Sequence, residues 1–210
     1  MKRILFLVVA LFMANTQAQD AKQLLDEVSN KVKSYDNIVI GFKYALNNPA
    51  ENVSQETRGD VTLLGNKYLL NLMGTEQMYD GNKLHVIIPE DEEINISSQS
   101  EEDEGSVTPS KMLTFYEEGY TSKMDIVQNV QGRKIQFVKL IPIDSKSELK
   151  EILLGIDKQT KHIYKMIMMQ NNETNITITV TSFKTNQPLS KTLFVFDESK
   201  YANYYINRLD

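Results

Sequence analysis

Imidazoles, thiols and paired carboxylates set what covalent chemistry a chain can do. His85 and His162 are the only histidines among 210 residues, and no cysteine occurs. That excludes a thiol nucleophile, a zinc-cysteine site, a disulfide scaffold and a lipidated cysteine, and leaves too few imidazoles for a His-rich metal centre. A Ser-His-Asp arrangement has few ways to assemble, and no G-x-S-x-G elbow, P-loop or G-x-G-x-x-G turn is present. His85 alternates with Leu84 and Val86, and His162 opens a strand after a turn, so both read as surface or rim residues. Glu101-Glu102-Asp103-Glu104-Gly105 lacks the alternating oxygen ligands of a calcium loop and reads as a solvated charge run. Carboxylates are numerous enough for a glycosidase pair, yet nothing selects two of them. The expectation is a protein with no catalytic residue, no metal and no cofactor.

What the chain offers instead is apolar surface. Lys165-Met166-Ile167-Met168-Met169 places apolar side chains on both faces of a strand, as do Leu69, Leu70, Leu72 and Met73, where a sheet with one wet face would alternate more cleanly. Seven methionines beyond Met1 and Met13, and no tryptophan, suit a surface that repacks around variable apolar guests. The charge balance, 23 Lys plus Arg against 28 Asp plus Glu for a net of -5, is the wrong sign for binding nucleic acid through its phosphates.

The elements that would position this surface are legible from spacing. Met1 to Arg3 is basic, Ile4 to Met13 is an apolar run, and Thr16 and Ala18 have the spacing of a cleavage site; this predicts a secretory leader cut near Ala18 or Gln19. The run is well short of the roughly twenty residues that span a bilayer. Export without any cysteine suits a periplasm. A mature domain over 20–210 opens with an amphipathic helix, with Ala21, Leu24, Leu25, Val28, Val32 and Tyr35 on one face and Asp20 with Gln23 as its N-cap pair. The period then switches to two. Strands are predicted at 38–46, 57–64, 67–73, 75–80, 83–88, 93–98, 120–128, 133–141, 148–156, 162–170 and 174–184, separated by turns such as Gly65-Asn66 and Asp80-Gly81. Spacing this short leaves no room for crossover helices, so the connections read as antiparallel hairpins in a curling meander. A short helix over Ser110 to Glu118 interrupts it, introduced by Thr108-Pro109 and closed by Gly119. Its Met112, Leu113, Phe115 and Tyr116 cover more than one stripe, which fits either a plug or a lid over an apolar cavity.

In this order of elements the chain resembles the outer-membrane lipoprotein carrier family, LolA, in its Bacteroidetes-type versions. The matching stretches are Ala21-Lys22-Gln23-Leu24-Leu25, Gly59-Asp60-Val61 followed by Gly65-Asn66-Lys67-Tyr68, Asp80-Gly81-Asn82-Lys83, Pro109-Ser110-Lys111-Met112-Leu113, Ile156-Asp157-Lys158-Gln159-Thr160 and Phe194-Val195-Phe196-Asp197. The resemblance implies a mainly β fold with an α lid: an unclosed antiparallel half-barrel of about eleven strands covered by short helices. It also implies a monomeric periplasmic chaperone that takes acylated lipoproteins from an ATP-driven inner-membrane complex. Cargo would pass to an outer-membrane receptor or to the membrane itself. The proteobacterial members carry a lid-latching arginine near the position of Leu64 and Gly65, which this chain lacks; Arg58 lies at the other end of that strand.

The residues expected to face the acyl chains are Ile40, Phe42, Tyr44, Val61, Leu63, Leu70 and Leu72 on the sheet and Met112, Leu113, Phe115 and Tyr116 on the lid, whose other part is the helix over 20–35. The role of each is hydrophobic contact. Two other readings stand beside this one: a sensing module on the same fold that binds lipid or lipoprotein without carrying it, and a secreted hydrolase with an unrecognised carboxylate pair.

Overall fold

A computed structural model describes residues 2–98 and 108–209, with side chains from Ala18 onward; the acidic run over 101–104 lies outside the described residues. Helix α1 spans Lys2–Lys33. The sequence placed its start at Asp20, but the helix runs on unbroken from Lys2, so Asp20 is no N-cap. The Leu, Ala and Met of the first turns are themselves strong helix formers. Ala21, Leu24, Leu25 and Val28 are buried, the i, i+3, i+4, i+7 stripe of an inward face. Lys31 and Lys33 lie in the last turn, where positive charge complements the helix dipole. The Ser34 hydroxyl donates to the Lys31 carbonyl at 2.7 Å.

Among the described residues twelve strands follow: β1 Ile38–Asn48, β2 Val53–Leu64, β3 Lys67–Leu72, β4 Thr75–Tyr79, β5 Lys83–Ile88, β6 Glu93–Ser98, β7 Tyr120–Val130, β8 Arg133–Pro142, β9 Leu149–Asp157, β10 Ile163–Gln170, β11 Asn175–Thr185 and β12 Tyr205–Arg208. They form one sheet in the order β12-β6-β5-β4-β3-β2-β1-β11-β10-β9-β8-β7. β7 and β12 are its edges and do not pair with each other, so the fold is mainly β and unclosed, as expected. Two meanders meet where β1 lies beside β11. Eleven strands are those the alternation predicts. The twelfth is new, and it corrects the expectation of uniformly antiparallel pairing, because it runs parallel to β6. The chain returns over the sheet with Phe196, Tyr201 and Tyr204 packed on Ile87, Ile94 and Ile96, and so enters β12 from the end at which β6 begins.

The tight hairpins use left-handed backbone. Met73 and Gly74 have φ of 54° and 77°, and Gln131 and Gly132 have 50° and 79°, the paired positive angles of two-residue turns. The expected helix over 110–118 is instead two 3₁₀ turns, Lys111–Leu113 and Phe115–Glu117. Thr114 between them, at φ -136° and ψ 2°, leaves the helical region, and too few bonds remain to propagate an α-helix.

The chain packs as two compact units. One holds residues 1–34, 45–55 and 116–179; the other holds 35–44, 56–115 and 180–210. In the first, register places Val138 and Leu140 of β8, Ile152 and Leu154 of β9 and Met166 of β10 on one face, all buried. Such side chains each contribute on the order of 1.5–3 kcal/mol. Helix α1 runs along β7. The register between β7 and β8 slips between Met124 and Val127, and the buried Gln136 amide fills this bulge, donating to the carbonyls of Asp125 and Phe137 at 2.8 Å.

Candidate functional site

In the second unit the two faces of the sheet differ. Residues opposite one another across strands share a face, so the pairs Val61↔Leu70 and Leu63↔Tyr68, Leu70↔Gln77 and Tyr68↔Tyr79, and Gln77↔Val86 and Tyr79↔Leu84 define one continuous surface. β1 joins it through Phe42. A Cβ on Gly59 would stand 2.6 Å from the tip of the Phe42 ring and 2.7 Å from the Asn71 carbonyl, so only glycine lets the ring lie across β2. Ile40 and Tyr44, two residues to either side of Phe42, share its face.

All seven strand residues proposed from sequence, Ile40, Phe42, Tyr44, Val61, Leu63, Leu70 and Leu72, therefore lie on this one surface. Ile40, Phe42, Val61 and Leu63 are buried, and Tyr44, Leu70 and Leu72 are half-buried. Burial raises the Tyr44 phenol above its ordinary value. Sequence reasoning missed Tyr68, Tyr79, Leu84 and Val86. Tyr68 shares the parity of Leu70 and was open to the same argument; the others needed the register.

The four lid residues divide. Leu113 is buried and Met112 and Phe115 are half-buried in this second unit. Tyr116, 4% exposed, belongs to the first, where the turn around it is tied to α1. The Glu117 carboxylate accepts from the buried Ser29 hydroxyl and from the Lys33 ammonium at 2.5 Å, which together hold it below the usual carboxylate range. On the same helix Glu27 pairs with Lys161 at 2.6 Å. The Tyr116 phenol is pushed up by burial and by the nearby charges of Glu117 and Asp26.

The opposite face of the second unit is covered. There His85, read from sequence as a rim residue, is 5% exposed, which corrects that expectation. The Phe196 ring stacks on it at 4.5 Å, and its Nε2 lies 3.3 Å from the Asp80 carboxylate. Alternation with Leu84 and Val86 was read rightly, but the face it pointed to is roofed by a segment from a hundred residues away. His162 is half-buried, and burial lowers its pKa, with Lys31 adding to the effect and Asp157 opposing it.

At one end of the sheet an open cleft of about 400 Å³ is lined by Arg58, Asp60, Asn71, Met73, Glu76 and Pro89 among others. Asn71 donates to Asp60 at 3.0 Å, and burial raises the pKa of Glu76. Arg58 lines this cleft together with Asp60 and Glu76. Leu64 is 38% exposed and Gly65, at φ 60°, is a turn residue.

The aspartates of the shared motifs do structural work. Asp80 accepts the backbone N–H groups of Asn82 and Lys83 at 2.8 Å. Asp157 accepts those of Gln159 and Thr160 at 2.9 and 3.1 Å, and Arg133, 3.6 Å away, lies over the Tyr164 ring. Asp197 holds Ser199 at its N–H and hydroxyl. Each closes an Asx-type turn. Among the described residues no group of three His, Asp or Glu is placed to hold a metal ion.

An unclosed meander with one broad apolar face and aspartate-pinned hairpins is the architecture of a binding protein. The chain belongs to the LolA family, outer membrane lipoprotein carrier protein LolA, whose family model matches residues 75–197. No curated protein matches it by sequence. Solved structures share the fold at low identity. An uncharacterized conserved protein from Thermus thermophilus is 9% identical at a TM-score of 0.59, over 89% of this chain and 98% of that one. The lipoprotein LppX of Mycobacterium tuberculosis is 15% identical at a TM-score of 0.51, over 80% and 98%.

Proposed function

We propose that this protein is a periplasmic carrier that holds the acyl chains of lipoproteins against the Val61–Leu70 face and moves them from the inner to the outer membrane. The observation that carries the reading is that face: apolar residues of β1, β2 and β3 side by side, with Leu84 and Val86 of β5 on the same face across β4, in a chain of the LolA family. Each methylene withdrawn from water contributes about 0.8 kcal/mol, so a diacylated protein cannot cross an aqueous compartment without such a surface. Transfer needs no covalent step. An ATP-driven complex in the inner membrane would load the carrier, and an outer-membrane receptor or the membrane itself would accept the cargo. The apolar N-terminal run would be the export leader, cut near Ala18 or Gln19.

Native mass spectrometry of the protein purified from its own periplasm, with organic extraction, tests this. The expected result is a near-stoichiometric acylated species, displaced by substituting Val61→Asp. A protein that comes out empty and also fails to bind a fluorescent acyl probe would sink the carrier reading.

A further inference from the structure

On the shared face β4 is a polar stripe between the apolar residues of β3 and β5, and beyond β5 the face ends in Glu93, Asn95 and Ser97 of β6. On that face β3 presents Tyr68, Leu70 and Leu72, and β5 presents Leu84 and Val86, whereas β4 presents Thr75, Gln77 and Tyr79. Gln77 is central to this stripe, directly opposite Leu70 on one side and Val86 on the other. It is half-buried, and its amide makes no hydrogen bond among the described residues. Neither of its direct neighbours has a polar side-chain atom to offer. The fully buried side-chain atoms without a partner among the described residues do not include the Gln77 amide, so it stays open to approach from this face, and its carboxamide is both a donor and an acceptor.

An acyl group is apolar along its chain and polar at one point, the carbonyl that links it to glycerol or to an amino group. That carbonyl accepts hydrogen bonds and donates none. We infer that Gln77 is the recognition point for this linkage, donating from its Nε2–H to the ester or amide carbonyl of a chain laid along Leu70 and Val86. The inference rests on the acyl-binding reading above and adds a register to it: the chain lies with its carbonyl at β4, so the face distinguishes acyl groups from plain hydrocarbon.

Two lipids with the same chains and different linkages separate these ideas. Dipalmitoylglycerol carries two ester carbonyls; its ether analogue, dihexadecylglycerol, carries none. The full chain is expected to bind the ester roughly fivefold more tightly than the ether, the worth of one net hydrogen bond. Gln77→Met, which keeps the length and removes the amide, is expected to abolish that preference while leaving ether affinity in place, so that ether binding itself reports an intact fold. Gln77→Leu is the second variant and is expected to behave alike. Equal affinity of the unsubstituted protein for both lipids, or an ester preference that survives both substitutions, overturns the role of Gln77 while acyl binding stands. Binding of neither lipid overturns the acyl-binding reading and the inference with it.

Discussion

At the scale of single residues, a few titratable groups tie the stability of the fold to acidity. Glu117 is held low by its hydrogen bonds to Lys33 and Ser29, and Glu27 by Lys161. A carboxylate whose folded pKa lies below its unfolded value stabilises the fold above that value and loses the contribution as pH falls. His162 acts in the same direction for a different reason: burial lowers it from 6.5, so the folded state resists protonation that the unfolded chain accepts. Glu76, raised by burial, opposes them. The expected outcome is a thermal midpoint that declines from pH 7 downward, first as His162 begins to resist protonation and again near the carboxylate range. The ion pairs are exposed, so each contributes little on its own. His162→Asn should flatten the upper part of the decline, and an unchanged profile would show that the histidine does not contribute. Little of this was legible in the chain, because His162 and Glu117 owe their environments to partners far away in sequence.

At the scale of elements, alternation did most of the work. Eleven strands could be read because period-two runs of Val, Ile, Leu, Phe and Tyr sit between turn dipeptides whose geometry is local. β12 escaped because Tyr205-Ile206-Asn207-Arg208 is four residues long and acquires its strand character only from β6. The 3₁₀ turns escaped because a proline and a closing glycine mark where a helical segment begins and ends, not how tightly it winds. The seven strand candidates fell on one face because parity within a strand is local, whereas the polar interruption at Gln77 needed the cross-strand register. β12 also offers a contrast to measure. Ile206 packs on Ile87, Ile94 and Ile96, so Ile206→Ala should cost about 1–3 kcal/mol in denaturant unfolding. Tyr205, 69% exposed, should change stability by less than about 0.5 kcal/mol when replaced by Ala. Equal effects would mean that the strand is held by its backbone pairing alone.

At the scale of the whole molecule, the sheet is not built in the order in which the chain is made. Neighbouring strands are close in sequence except at two pairings, β12 on β6 at an edge and, in the middle, β1 on β11, where the Gly41 N–H bonds the Ser182 hydroxyl across 141 positions. A chain emerging from its N-terminus can therefore zip β2 onto β1 early, yet the other side of β1 stays open until nearly all the polypeptide has appeared. An open strand edge recruits other chains, so the interval before β11 arrives is the one in which nascent copies are vulnerable to one another. Chains stopped after Thr174 should sediment as aggregates, whereas chains stopped after Tyr204, which lack only β12, should stay in solution. Equal solubility of the two would mean that β1 is shielded by something other than its late partner. The seam that holds the finished sheet together is thus its point of greatest exposure during birth, and export of the kind proposed above would need a means of keeping that edge unengaged until the C-terminal strands have cleared the translocation machinery.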